Sequence, residues 1–191
     1  MSGIEAKPPS LPEDSLLINS LSELYQEVIQ DHVKRPRFRG KCEVCLFCEE
    51  GKNPLCGDHI QIYCKEAPSP HDLKGSTPLI SVSFEGSGCS ISQASASILC
   101  SQCQNVTVDQ ALEFIQEAEQ YFTGQKIPLS GKEDDFDSDI EALSGVRRFP
   151  VRIKCAALAW KTLEVALKER FFEKKHVSTP LKQSKKLNIV Q

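Results

Sequence analysis

A chain of 191 residues is long enough to bury a core without disulfide staples and short enough for one domain plus tails. With 40% hydrophobic and 26% charged residues, and 23 basic against 26 acidic side chains for a formal charge of −3, it reads as an ordinary soluble globular protein. Nothing in that balance demands nucleic acid as a partner. The longest purely apolar run, Cys155 to Trp160, is far too short for a membrane span. The opening residues, MSGIEAKPPSLPEDS, carry neither a basic start with an apolar stretch nor an Arg-rich amphipathic pattern, so a cytoplasmic protein is expected. Nine cysteines are then expected to be thiols or metal ligands, because a reducing cytosol disfavours disulfides.

In chain order, residues 1–19 are rich in Pro, Ser and acids and read as a flexible lead, 20–172 as one domain, and 173–191 as a flexible tail. Ser20-Leu-Ser-Glu23 fits a capping box, and Leu21, Leu24, Tyr25, Val28, Ile29, His32 and Val33 recur at helical spacing until Pro36 ends the first helix. Residues 34–55 read as irregular loop leading into Cys56-Gly57-Asp58. Ile60, Ile62 and Cys64 alternate with polar residues, as do Ile80, Val82 and Phe84, which predicts two half-buried strands joined by the Pro/Gly/Ser connector 67–78.

After Gly86-Ser-Gly-Cys89 a small-residue helix is predicted over about 91–104. Thr107-x-x-Gln110 caps the next helix, which reaches Phe122 with Gly124 as its stop. A short helix over Asp139–Val146 follows, and Pro150 sits at the first position of a long helix to about Phe172. Helix, then small sheet, then helices is the segregated α+β class: a small antiparallel sheet of about three strands, with a further edge strand unplaced, packed by several helices.

Cys56 and Asp58 flank a glycine that lets two donors turn toward one point. Cys89 follows a glycine turn, and Cys155 lies early in the long helix. Together they make a Cys₃Asp set suited to tetrahedral Zn²⁺. Free cysteines are equally at home as small buried hydrophobes, and spacing alone leaves both readings open.

Three stretches carry more than spacing: Asn53-Pro-Leu-Cys-Gly-Asp58, Phe84-Glu-Gly-Ser-Gly-Cys-Ser-Ile-Ser-Gln-Ala-Ser-Ala-Ser97, and Ile140-Glu-Ala-Leu-Ser-Gly-Val-Arg-Arg-Phe-Pro-Val-Arg-Ile-Lys-Cys155. Together they resemble the SufU/IscU family of iron–sulfur cluster assembly proteins, the NifU N-terminal-like domains, from Leu24 to about Leu167. The resemblance implies a metal on Cys56, Asp58, Cys89 and Cys155, with Zn²⁺ as cofactor or alternatively iron or a [2Fe–2S] cluster on the same ligands.

The scaffold branch has a histidine before the third cysteine. This chain has Lys154 there, and a long segment between Cys89 and Cys155, which are similar to the SufU branch. That branch implies a zinc-dependent sulfur acceptor and carrier, with a SufS-like cysteine desulfurase and a downstream iron–sulfur scaffold complex as partners. It further implies that a histidine of the desulfurase displaces one cysteine and frees Cys56 as persulfide acceptor. The alternatives are a scaffold that assembles and transfers a [2Fe–2S] cluster, and a zinc-stabilised interaction module without chemistry.

Arg152, one helical turn before Cys155, is a candidate to assist persulfide chemistry, and Lys154 is a weaker one; both are otherwise solvated charges at a helix start. Cys42-x-x-Cys45-x-x-Cys48 is not expected of the family and reads as a possible second metal site, completed by Cys56 or another cysteine, or as loosely packed loop thiols. Cys100-x-x-Cys103 and Cys64 read as core, and His32, His59 and His71 as ordinary side chains. The basic run Lys34, Arg35, Arg37, Arg39, Lys41 lacks interleaved aromatics for stacking bases, and reads as a solvated or desulfurase-facing segment.

Overall fold

The structure, a computed structural model, describes residues 26–68, 78–125, 138–172 and 186–188. The lead at 1–19, the Ser20–Glu23 capping box, His71 and most of the two polar connectors and the tail lie outside these residues. Among the described residues, helix α1 occupies 26–34. It is followed by β1 (Phe47–Asn53), β2 (Asp58–Glu66), β3 (Leu79–Ser87), α2 (Ser90–Gln102) and β4 (Gln104–Thr107). The order continues with α3 (Val108–Thr123), α4 (Ser138–Leu143), a 3₁₀ turn at Ser144–Arg148, α5 (Pro150–Phe171) and β5 (Lys186–Asn188).

The strands lie in the order β4-β3-β2-β1-β5, antiparallel except for the short parallel pairing of β5 with β1. The class is therefore the expected α+β, with more strand than the sequence announced. β1 replaces the expected loop ahead of Cys56. Its sequence, FCEEGKN, has no β-branched residue and little apolar alternation, so its propensity is weak. Pairing along the full length of β2, from Phe47↔Cys64 to Asn53↔Asp58, supplies the order instead.

β4 is the edge strand the sequence left unplaced. The predicted helix 91–104 ends at Gln102, because Asn105 takes a left-handed φ of 56° that reverses the chain into the sheet. Part of the tail read as flexible, Lys186–Asn188, pairs with Glu50–Lys52. The short helix also ends earlier than expected, tightening into a 3₁₀ turn after Leu143.

One sheet face and the helices form the core. Ile60, Ile62 and Cys64 of β2, with Ile80, Val82 and Phe84 of β3, point inward at Ile98, Leu99, Leu158, Trp160 and Leu163. Small residues on α2 let α5 come close: Ser95 Oγ accepts Trp160 Nε1–H at 2.8 Å and donates to the Ala156 carbonyl at 2.6 Å. The indole thus buries its full area while its N–H stays satisfied. The Phe122 ring meets it edge-on, centroids 5.8 Å apart.

The capping signals work as predicted. Thr107 and Gln110 make the reciprocal bonds of a capping box, Gly124 closes α3 with φ 78°, and Pro150 opens α5. Among the described residues no helix is long and apolar enough to cross a membrane.

Gly51 is the point where β1 touches α5. A β-carbon there would run into Thr162 Oγ1 and sit 3.3 Å from Leu158 Cδ1, and the Thr162 hydroxyl is already held by the Leu158 carbonyl at 2.8 Å. Gly51→Ala should therefore overpack this contact and lower stability by about 1–3 kcal/mol in a denaturant titration. Adding Thr162→Ala should recover part of the loss, and an unchanged midpoint for Gly51→Ala would show that β1 is free to lift from the helix.

Candidate metal centre

The β1–β2 hairpin closes between Asn53 and Asp58, and its turn is held by Asn53 itself. The Asn53 side-chain oxygen accepts Leu55 N–H at 3.2 Å and its backbone carbonyl accepts Cys56 N–H at 3.3 Å. Gly57 takes φ 69°, the left-handed bend that sends Cys56 and Asp58 toward the same side.

Asp58, the first residue of β2, is 2% exposed. Burial of a carboxylate needs partners, and Oδ1 accepts the backbone N–H of Cys89 at 2.8 Å. Gly88 makes that approach possible, since at its φ of 154° a β-carbon would lie 2.5 Å from Asp58 Oδ1.

Cys89 is the N-cap of α2, and its Sγ accepts Ser92 N–H at 3.5 Å, a position where a helix favours negative charge. Cys155, on the second turn of α5, is fully buried. Its thiol donates to Cys56 Sγ at 3.2 Å and accepts from Asn53 Nδ2 at 3.5 Å. Donor atoms of Cys56, Asp58 and Cys155 lie within 4.8 Å of one another, and Cys89 Sγ is 3.8 Å from Asp58 Oδ2. Four residues separated by up to 99 positions thus meet at the ends of two strands and two helices.

Electrostatics makes this cluster costly without a cation. Burial first, then hydrogen bonds with Asp58 and Cys56 and the charges of Cys89 and Asp58, hold the Cys155 thiol well above its ordinary range. Arg152 reaches it. Its hydrogen bond to Cys155, followed by the charges of Cys89 and Cys155, raises its own pKa.

The donor set fits a tetrahedral ion. Two sulfurs at Zn–S distances of about 2.3 Å would stand about 3.8 Å apart; the Cys155 and Cys56 sulfurs are 3.2 Å apart, and the Cys89 sulfur is 3.8 Å from the Asp58 carboxylate oxygen Oδ2.

The remaining candidates go elsewhere. Cys64, Cys100 and Cys103 are fully buried in the core, where burial pushes the Cys64 and Cys103 thiols up to about 12. Cys42, Cys45 and Cys48 stand at the far end of β1, so Cys56 cannot complete a site with them.

His59 points away from Asp58 and bonds Glu50 at 2.5 Å. His32 is a buried structural pin, bonded to Ser97 Oγ at 2.8 Å and Asp139 Oδ2 at 2.9 Å. Much of the basic run is spent internally: Arg37 pairs with Asp31, and Arg39 donates to the Gly86 carbonyl at 2.8 Å over the Phe84 ring. The sequence pattern gives Gly88 only a place in the turn before Cys89, and Asn53 only a place in the motif before Cys56; a turn-forming Asn at the head of that loop is the signal for its wider role.

The class is that of an α+β domain whose strand turn and two helix starts bring three thiols and one carboxylate together, a donor set suited to a metal ion. The chain is a member of the NifU-like N-terminal domain family, whose profile matches residues 24–178. It is 38% identical over 147 residues to the iron–sulfur cluster assembly scaffold protein IscU of Thermotoga maritima, covering 76% of this chain and 94% of that protein. To the zinc-dependent sulfurtransferase SufU of Bacillus subtilis it is also 38% identical, covering 76% of this chain and 90% of that protein.

Among solved structures, an iron–sulfur cluster assembly scaffold protein for the SUF system from Fervidobacterium islandicum superposes with a TM-score of 0.62 at 37% identity. That superposition covers 76% of this chain and 98% of the other.

Asn53 ties the Cys56 turn to the Cys155 sulfur, so Asn53→Ala should loosen both ligands together. Zn²⁺ affinity, measured by chelator competition, should fall about 10–100-fold with the circular dichroism spectrum unchanged. Unaltered affinity would reduce Asn53 to a turn residue.

Proposed function

We propose that this chain is a zinc-dependent sulfur acceptor and carrier that serves a cysteine desulfurase in iron–sulfur cluster assembly, with Cys56, Asp58, Cys89 and Cys155 as the zinc ligands. The observation that carries this reading is the unequal exposure of two adjacent thiols. Cys155 is sealed in the core while Cys56, 3.2 Å away, is part-exposed on the hairpin turn. Cys56 lines an open cleft with Leu55, Arg148, Phe149, Val151 and Arg152. A sulfur to be passed between proteins must arrive at a thiol that a partner can reach, and Cys56 meets that condition.

Bound Zn²⁺ supplies charge that keeps the coordinated thiols deprotonated at neutral pH. The Cys56 thiolate attacks the outer sulfur of the donor's persulfide. A new S–S bond forms at Cys56, the donor's S–S bond breaks, and the donor cysteine leaves as a thiolate, so the transfer is isoelectronic and needs no external oxidant. Arg152 lies where it can hold the negative charge of the incoming sulfur. Exposed Leu55, Phe149 and Val151 around the cleft present an apolar rim for the partner.

Lys154, where the scaffold branch has a histidine, and the zinc dependence in the name of the Bacillus subtilis relative favour the carrier. The Thermotoga maritima relative, at the same 38% identity, favours the second reading, a scaffold that assembles a [2Fe–2S] cluster on the same ligands. Protein purified without oxygen should contain zinc and no acid-labile sulfide, and should accelerate cysteine desulfurase turnover. Cys56→Ala should abolish that acceleration, and full stimulation by the variant would falsify the acceptor role. Uptake of iron and sulfide followed by transfer to an apo-acceptor would instead establish the scaffold.

A further inference from the structure

The cysteines at 42, 45 and 48 take no part in the centre above, and the hairpin shows why. Cys48 is the second residue of β1, opposite Tyr63, whereas Cys56 lies in the turn beyond Asn53 at the other end. Five strand steps at about 3.3 Å each place some 16 Å of extended chain between Cys48 and the start of that turn.

The three thiols lie within seven residues at the open end, and their sulfurs are not all within 4.8 Å of one another. Residues 41–46 have no regular structure, Cys42 and Cys45 are half-buried, and Cys48 is exposed on the outer face of the sheet. The Cys45 and Cys48 thiols share a hydrogen bond, and Cys42 is near enough to act on Cys45 electrostatically. Cys45 and Cys42 also act electrostatically on Cys64, but strand alternation sends Cys64 to the inner face, opposite to Cys48, where it is fully buried.

We propose that Cys42, Cys45 and Cys48 form a second site, independent of the Cys56 centre, which binds a thiophilic closed-shell cation such as Zn²⁺ through three thiolates and leaves a fourth position for water or an external donor. The two C-x-x-C steps match the ligand spacing that lets neighbouring sulfurs face one ion.

On binding an ion, each coordinating thiol releases its proton to solvent with no change of oxidation state. Cys42 Sγ now turns back to its own loop, 3.1 Å from the Val44 carbonyl. A rotation about its side-chain bond in a segment without regular structure is enough to release it.

The test is Zn²⁺ titration of the full-length, metal-stripped, reduced protein against a chromophoric chelator without oxygen. Wild type should bind two equivalents, the Cys42→Ser/Cys45→Ser/Cys48→Ser variant one, and the Cys56→Ser/Asp58→Ala variant one. In the last, Co²⁺ should give thiolate-to-cobalt charge-transfer absorption and release close to one proton per coordinating thiol. If that variant does not fold by circular dichroism, Cys45→Ser alone reads the same property, through loss of one equivalent with the spectrum unchanged. One equivalent in wild type that the loop substitutions leave in place overturns the proposal, as does a Cys45–Cys48 disulfide with no second equivalent after reduction. If the Cys56 centre is the one that fails to bind, the loop variant drops to none and the Cys56→Ser/Asp58→Ala variant matches wild type, which separates the two failures.

Discussion

A carboxylate that is 2% exposed needs its lone pairs satisfied, and at Asp58 the backbone N–H of Cys89 takes one of them at 2.8 Å. That bond joins the first residue of β2 to the N-cap of α2, and therefore sets the start of the sheet's central strand against the start of a core helix. It exists only because Gly88 has no side chain to hold the two apart. The Cys89 sulfur is brought to the carboxylate by the same contact, so two of the four donors are positioned by one hydrogen bond and one missing methyl group.

The other two donors depend on how closely α5 can approach. Ser95 and its small neighbours on α2 admit α5 closely enough for Ser95 Oγ to donate to the Ala156 carbonyl, and Gly51 lets β1 lie directly against Thr162 and Leu158. Cys155, one residue before Ala156, is carried to the hairpin turn by that packing and meets Cys56 and Asn53 there. The centre is thus placed at the rim of the core by the same steric economy that stabilises the core. Its inner sulfur, Cys155, is buried, and its outer one, Cys56 on the hairpin turn, is part-exposed.

The β1–β2 hairpin also keeps two groups of thiols apart. One end holds the Cys56 turn beside a carboxylate and Arg152; the other holds Cys48 on the outer face, with Cys42 and Cys45 in the irregular segment before it. In each group one thiol, Cys155 or Cys45, is held above its ordinary range by burial first and then by its neighbours. Neither group can draw a ligand from the other without unzipping the hairpin.

The amino-acid sequence by itself determined what depends on neighbours in the chain. The Thr107–Gln110 capping box, the Gly124 stop, Pro150 at the head of α5, the alternation in β2 and β3, and the Gly57 bend between Cys56 and Asp58 are local, and each is found where the residues imply it. The candidate ligands were named from glycine turns and motifs. Tertiary structure decided what depends on partners remote in the chain. FCEEGKN becomes β1 only because β2 pairs with it. Asn53 acquires a role only when a sulfur 102 positions later comes within 3.5 Å. Cys56 and Cys48, eight residues apart in sequence, are assigned to different ends of the molecule because an extended strand, unlike a loop, cannot fold back to join them.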